Sequence, residues 1–348
     1  MGTKEEKRKI TGKEIAALAG VSQSTVSRVL SSAESSPLIS KKTAKRIRKI
    51  AEKEGYSPNP IAQALRGKKS NLIGLVVREI SDPFFAGVIE QISSALEKRS
   101  YSLILGYFNS QTENGIQKIT RILDSRQCDG MIFLGDLNDG MKYVNEVIDE
   151  GHPAVTLCWG KQTKDIPSVN CNNEGGVKML LDHLLDLGHK DFVFIDGGFI
   201  GDIQERRAVI KQFSVDYPDL TFSIVRAESN SIEGGYKAMQ ALLKSSKFSS
   251  AVVAADDSLA IGILSAINQA GLSVPGTVSV TGFDDIELAK FTDPPLTTIR
   301  QPIEEMANQA VQMLINLIDK KEVTQSDLTI SCAPKLIIRE STGSARKH

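Results

Sequence analysis

The sequence predicts an α/β protein: a small all-α head followed by two doubly wound parallel-sheet lobes. Three observations predict it. From Asn71 onward, apolar strand-like runs alternate with amphipathic helices, a pattern that builds parallel sheets covered on both faces. About eight such runs fall in the remaining residues, more than one such sheet usually holds. Before Asn71 the apolar spacing is helical and the charge is reversed. Residues 1–70 hold 16 Lys and Arg against 6 Asp and Glu, whereas the remainder holds 26 against 36. A basic head on an acidic body of this length, 348 residues in all, suggests a polyanion-binding module carried by a larger unit.

The head is read first. Residues 1–10 form an arm. Thr11-Gly12-Lys13-Glu14 is a capping box, in which the Thr11 hydroxyl takes one free amide of the first turn and Glu14 reaches back to another. Ile15, Leu18 and Ala19 follow at helical spacing as a buried face. Gly20 suits a left-handed C-terminal cap, and Ser22 suits the N-cap of a second short helix. That helix buries Val26, Val29 and Leu30 and shows Gln23, Ser24, Ser27 and Arg28 on its other face. Two short helices joined by a Gly-containing turn form a helix-turn-helix, whose second helix presents its N-terminal residues to base edges in the major groove. Gln pairs bidentately with adenine and Arg with guanine. A small capped helical bundle with no such role has the same pattern. Ser40 caps a third helix, Lys41 to Glu54, which buries Ala44, Ile47 and Ile50 and turns Lys41, Lys42, Lys45, Arg46, Arg48 and Lys49 to solvent and phosphates. Asn59 and Pro60 open a segment, Ile61 to Arg66, too short to be a stable helix alone.

The run AGVSQSTVSRV, Ala19 to Val29, resembles the DNA-reading headpiece of the lactose-repressor family of bacterial regulators. The resemblance implies base contacts from Gln23, Ser24 and Arg28, with Thr25 and Ser27 nearer the phosphates. PNPIAQALRG resembles that family's hinge helix, which folds on operator DNA and pairs with its twin across a dimer. There Asn59, Ala62 and Leu65 take the DNA-contacting positions, with Leu65 as a minor-groove wedge. DPPLTTIRQP and LIIREST also match the family, and the likeness runs from Thr11 to Thr342. It implies a helix-turn-helix head at 1–58, a hinge and linker at 59–70, and a periplasmic-binding-protein-like body at 71–342. Lobe one would comprise about 71–170 and 301–331, lobe two about 171–300 and 332–342, with crossings near Cys171, Arg300 and Cys332.

In the body, strands are expected at Leu72–Val77, Ser102–Tyr107, Gly130–Leu134, Ala154–Cys158, Phe192–Ile195, Phe222–Val225, Ala251–Ala254 and Val278–Thr281. Ligands of such folds sit outside the carboxyl ends of strands, which makes strand ends the place to seek effector contacts. Phe84 either stacks on a ligand face or packs in the core; the family resemblance places it in the cleft and Phe85 in packing. Trp159 follows a strand and either stacks on a ring or packs. Arg206 is expected to face the cleft in preference to Arg207, with at least one of them solvated, in a stretch, RRAVIKQF, that departs from the family's pattern. Asp256 ends a strand as a ligand contact, while Asp257 equally suits the following helix cap. Asp284 matches an effector-binding acid of the family. Cys158 and Cys171-Asn172 stand where relatives have an aspartate and an Asp-Asn pair.

These features point to a homodimeric, cytoplasmic regulator of double-stranded operator DNA, switched by a sugar or sugar phosphate, or secondly by a nucleoside or purine. An enzyme is not expected. IDGGFIG, Ile195 to Gly201, follows a strand but fits neither GxGxxG nor GxxxxGK[ST]. The four histidines lie apart, the four cysteines form no CxxC pair, and neither a metal nor a cofactor is implied. The charged N-terminus lacks the apolar run of a signal peptide, which counts against a secreted binding protein, and no stretch spans a membrane.

Overall fold

The computed structural model describes residues 10–30, 39–56, 69–107, 128–136, 141–160, 166–198, 201–245, 249–321 and 328–346. Asn59, Ala62 and Leu65 lie outside them. The chain divides into two compact units, Met1–Asn71 and Leu72–His348.

The first unit is all helical: α1 (Gly12–Ala19), α2 (Gln23–Leu30) and α3 (Lys41–Lys53). Each begins where a side chain satisfies a free amide. Thr11 Oγ1 accepts from Glu14 N, and Glu14 Oε2 accepts from Thr11 N at 2.7 Å. Ser22 Oγ accepts from Thr25 N at 3.1 Å, and Ser40 Oγ from Thr43 N at 3.2 Å. Gly20 ends α1 with φ +61°, a state other residues enter at a cost. The core is Ile15, Ala16, Ala19, Val26, Val29, Ala44 and Ile47. Leu18 departs from expectation: it is 58% exposed and Ala16 is buried instead. At about 100° per residue, Ile15, Ala19 and Ala16 span one arc that α2 and α3 cover, and Leu18 falls outside it. Ile50 is likewise only half-buried, with Ala51 taking the core position.

The second unit holds two parallel sheets. The six-stranded sheet comprises β1 (Leu72–Val77), β2 (Ser102–Tyr107), β3 (Gly130–Leu134), β4 (Ala154–Leu157), β5 (Ser168–Cys171) and β11 (Thr329–Cys332). Its spatial order is β11-β5-β4-β3-β1-β2. The four-stranded sheet comprises β6 (Asp191–Asp196), β7 (Thr221–Arg226), β8 (Ala251–Ala254) and β9 (Ser279–Thr281), in the order β7-β6-β8-β9. All pairings in both are parallel. Their central strands read as continuous apolar runs, such as the buried Ile73–Val77, because helices cover both faces. A small antiparallel pair, β10 (Thr298–Arg300) with β12 (Lys335–Ile337), lies where the chain passes between the sheets. The chain leaves the first sheet after Cys171, returns after Arg300 through a helix, and leaves again after Cys332.

The helices of this unit are α4 (Pro83–Glu97), α5 (Met141–Asp149), α6 (Asn173–Asp186), α7 (Gly201–Asp216), α8 (Ile232–Leu243), α9 (Asp257–Gln269) and α10 (Ile303–Ile318). Four strands, β5, β10, β11 and β12, are missing from the strands expected by pattern. Sequences such as SVNC and TISC are short and half polar, so their strand character comes from register against a neighbour, Cys332 opposite Cys171. No described helix is long and apolar enough to cross a membrane. Among the described residues no cluster of His, Cys, Asp and Glu could hold a metal.

Candidate functional site

Two sites emerge, one in each unit. On α2 the apolar residues Val26 and Val29 point into the core, which turns Gln23, Ser24 and Arg28 outward and leaves Thr25 and Ser27 half-buried. Ser22 Oγ lies 2.7 Å from Ser24 Oγ and 2.8 Å from Thr25 Oγ1. The cap is thus part of a hydroxyl cluster at the N-terminal end of the helix. That end carries partial positive charge and free amides, which favours phosphate.

In the second unit, side chains from the carboxyl ends of both sheets converge on one cavity. Arg78, Asp82, Phe84 and Phe85 follow β1; Cys158 follows β4; Asp202, Ile203 and Arg206 lie on α7. Asn230 follows β7, Asp256 follows β8, Asp284 follows β9, and Gln301 follows β10. The cavity measures only about 30 Å³, room for about two waters.

Arg206 organises this cluster. It is 3% exposed, stacks over the Phe283 ring at 3.6 Å, and each of its three nitrogens faces a partner. Its Nε donates to Asn173 Oδ1 at 2.9 Å, Nη1 to the Ala255 carbonyl at 2.7 Å, and Nη2 faces Asp284 Oδ1 at 3.5 Å. Gln301 Nε2 donates to the same Asp284 oxygen at 2.6 Å. Asp256 Oδ1 caps α9 by accepting from Leu259 N at 2.8 Å, and its other oxygen takes Asn230 Nδ2. Asp82 caps α4 through Phe84 N at 2.9 Å. Burial raises the pKa of all three acids. Asp82 is pushed up to about 6 by burial and then by the Asp256 charge across the cavity. Asp284 is pushed up by burial against the pull of Arg206, and Asp256 by burial. Cys158 is held as a thiol by burial. The backbone is strained here as well: Cys158, Asp284 and Asp285 have φ of 55°, 117° and 56°, states non-glycine residues hold only when the surroundings enforce them.

Four expectations change. Trp159 does not reach the cavity. The left-handed Cys158 turns the chain, and the indole packs edge-on against Phe133 at 6.3 Å in a separate apolar cluster. Phe85 lines the cavity beside Phe84 instead of only packing behind it. Arg207 is only slightly exposed and pairs with the fully buried Asp196, so neither arginine is freely solvated. Asp256, not Asp257, caps α9; Asp257 accepts from Thr298 Oγ1 at 2.5 Å and Ile286 N at 2.9 Å. Sequence reasoning missed Arg78, Asp82, Asp202, Asn230 and Gln301. Arg78, Asp82 and Asn230 follow strands and were open to the carboxyl-end rule.

The two sheets' loops also meet beside the cavity. Gly201 N donates to Asp136 Oδ2 at 3.1 Å. A methyl at Gly201 would lie 2.0 Å from the Trp159 carbonyl oxygen, and one at Gly160 would lie 2.6 Å from the Gly201 carbonyl carbon. Only glycine on both sides permits this seam. A larger cleft of about 480 Å³ opens on the other face of α7, beside β5 and β11. No guanidinium is among its described lining residues, and Asn173 separates it from the smaller cavity by donating to Glu205 at 2.7 Å. The smaller cavity, where opposed charges converge, is the better candidate.

Comparison with known proteins gives a consistent answer. A family model for bacterial regulatory proteins of the lacI family matches residues 11–59, and one for a periplasmic binding protein-like domain matches residues 181–342. The chain is 31% identical over 347 residues to the HTH-type transcriptional regulator MalR of Streptomyces coelicolor, covering 95% of this chain and 96% of that one. It is 28% identical over 345 residues to the HTH-type transcriptional repressor PurR of Vibrio campbellii, covering 95% and 98%. A crystal structure of the lac repressor dimer bound to operator and the anti-inducer ONPF superposes with a TM-score of 0.85 at 25% identity, covering 97% and 100%. The chain therefore belongs to the lacI family of bacterial regulatory proteins, DNA-binding transcription regulators under small-molecule control.

Proposed function

We propose that this chain is a cytoplasmic, homodimeric repressor that reads a pseudo-palindromic operator with Gln23, Ser24 and Arg28. Thr25 and Ser27 serve at the phosphates, and Asn59, Ala62 and Leu65 are the hinge contacts. The observation that carries the reading is the outward polar face of α2, displayed by a head whose core is fully accounted for. A twofold dimer presents two such helices to two half-sites. The chain acts as a regulator and not as an enzyme.

In the same proposal the body comprises two lobes, about 71–170 with 301–331 and about 171–300 with 332–342, each built on one of the two sheets. The effector sits between them against Phe84, Arg206, Asp256 and Asp284. Four carboxylates and two guanidiniums line the cavity. Acids and guanidiniums already matched to one another suit the hydroxyls of an uncharged sugar, which both donate and accept, better than a sugar phosphate. The buried Trp159 is not available to stack on a flat ring, which weighs against a nucleoside or purine. Because the cavity holds only about two waters, a sugar enters with the lobes apart. The Gly160–Gly201 seam then defines the closed state, and effector and operator are linked by a coupling of about 1–3 kcal/mol.

Capture of genomic fragments by the full-length protein tests the proposal, with and without neutral sugars. The expected result is enrichment of one palindromic site upstream of sugar-uptake or catabolic genes, altered by one sugar. Uniform retention of all fragments would remove it. Gly201→Ala tests the seam. It should weaken sugar binding at least tenfold, and the direction in which it shifts operator affinity shows whether the closed body favours or opposes DNA. Unchanged sugar affinity would mean that closure does not use this contact.

A further inference from the structure

β5 and β11, the last two strands at one edge of the six-stranded sheet, break the rule the other strands obey. Strands of a parallel sheet are covered on both faces and read apolar throughout, whereas SVNC and TISC alternate. Val169, Cys171 and Cys332 belong to the main core, and Ile330 packs against it. The other face is polar. In the parallel register Thr329 lies opposite Ser168 and Ser331 opposite Asn170, and residues two apart on a strand share a face. The result is a platform of three hydroxyls and one amide, which forms one wall of the cleft of about 480 Å³. That volume falls in the range of small-molecule sites, roughly 300–1,000 Å³. α7 forms the opposite wall through Glu205, Ala208 and Val209.

Two further observations bear on what the cleft takes. Ser168 is 2% exposed and lines the cleft, yet its hydroxyl has no hydrogen-bond partner among the described residues. Its hydrogen-bonding capacity is therefore turned to an occupant. The charged residues among the described lining, Glu174 and Glu205, are both acidic. Glu174 is exposed at the rim and holds Lys178 at 2.6 Å. Glu205 is half-buried, and its Oε2 accepts from Asn173 Nδ2 at 2.7 Å. We propose that this cleft is a second small-molecule site, and that its ligand is a small organic amine. The ammonium group, which has three donors and no acceptor, donates to Glu205 and to Ser168 Oγ. The carbon stem lies along Val209, and a second polar group meets the hydroxyls of Thr329 and Ser331. The site stands independently of the sugar reading of the smaller cavity, from which Asn173 separates it.

The test is calorimetric titration of the full-length protein with putrescine, spermidine, succinate and xylitol, in enough salt to screen the acidic surface of the body. Ser168→Ala, Glu205→Gln and Ala208→Trp are titrated in parallel, with the urea midpoint in the absence of ligand as the check that each has folded. Ala208 is exposed on α7, so a tryptophan there fills the cleft without entering the core. The expected result is a single saturable binding event for at least one amine. It should be weakened about threefold or more by Ser168→Ala and about tenfold or more by Glu205→Gln, and lost in Ala208→Trp. If Glu205→Gln does not fold, the other two variants decide. Absence of saturable amine binding overturns the proposal, as does tighter binding of succinate or xylitol than of both amines. Equal amine binding by wild type, Ser168→Ala and Ala208→Trp, whatever Glu205→Gln does, places the amine elsewhere on the acidic body and overturns it too.

Discussion

The head and the cleft use the same residue type in opposite ways. Arg28 is exposed on a helix whose buried face is made by Val26 and Val29, whereas Arg206 is the centre of a buried network. Under the proposed reading, removing Arg28 costs operator recognition more than stability. Removing Arg206 leaves a buried carboxylate at Asp284, an unpaired amide oxygen at Asn173 and an unpaired carbonyl at Ala255. The difference teaches that the head separates stability from function along its helix faces, while in the cleft the two are one set of contacts. A regulator benefits from this split, because evolution can change the DNA sequence read without disturbing the switch.

The largest expected effect tests the cleft side of that contrast. Arg206→Ala should cost about 3–5 kcal/mol of stability, the range for breaking a buried ion pair from one side. Urea denaturation of the full-length protein measures it. Adding Asp284→Asn should recover part of the loss, since the stranded charge is then gone. A loss of below about 1 kcal/mol would mean that Arg206 is not structural, and the contrast with the head would disappear.

The matching test in the head is smaller and lies in a different observable. Arg28→Ala should cost about 1–3 kcal/mol of operator binding and relax the choice of base at one position. Its denaturation midpoint should match wild type. A shifted midpoint with unchanged base preference would show that Arg28 supports the fold and does not read DNA.

The same contrast governs what the sequence discloses. Caps act over three residues, so Thr11 with Glu14, Ser22 and Ser40 were legible, and with them the helices of the head. Leu18 was misread because the buried arc of α1 depends on where α2 and α3 settle, which spacing within α1 does not encode. In the body, the long apolar strands were legible and the short polar ones were not. Arg206 and Arg207 are adjacent, and which one faces the cavity is decided by Asp196 at the end of β6. The Trp159 ring was misplaced because nothing in LCWG signals a left-handed cysteine. Arg78, Asn230 and Gln301 come together only through topology, from three separate strand ends.

The smallest effect concerns pH and again separates the two units. All four histidines lie beyond residue 71, so the head has none. His189 is buried at the amino ends of β6, β8 and β9, with its ring nitrogens on Ser250 Oγ, Ser279 Oγ and the Gly343 carbonyl oxygen, at 2.9 to 3.0 Å. Burial holds its pKa below the ordinary value of 6.5. The unfolded chain then takes up a proton at a pH where the native body does not. Stability contributed by neutral His189 is present above about 6.5 and is lost as pH falls through and below it. The cleft acids act in the opposite sense. Asp82 has its pKa raised to about 6, so the native body binds its proton first and gains relative stability as pH falls from about 6 toward 4. The two terms overlap in the wild-type profile, so His189→Gln is compared with wild type by thermal melts between pH 7.5 and 5. The gap between them should narrow as the pH is lowered, while melts of the head, followed separately, stay flat across the same window. A gap that widens on acidification would mean that His189 is charged in the native body and that its carbonyl partner, not its burial, sets its protonation.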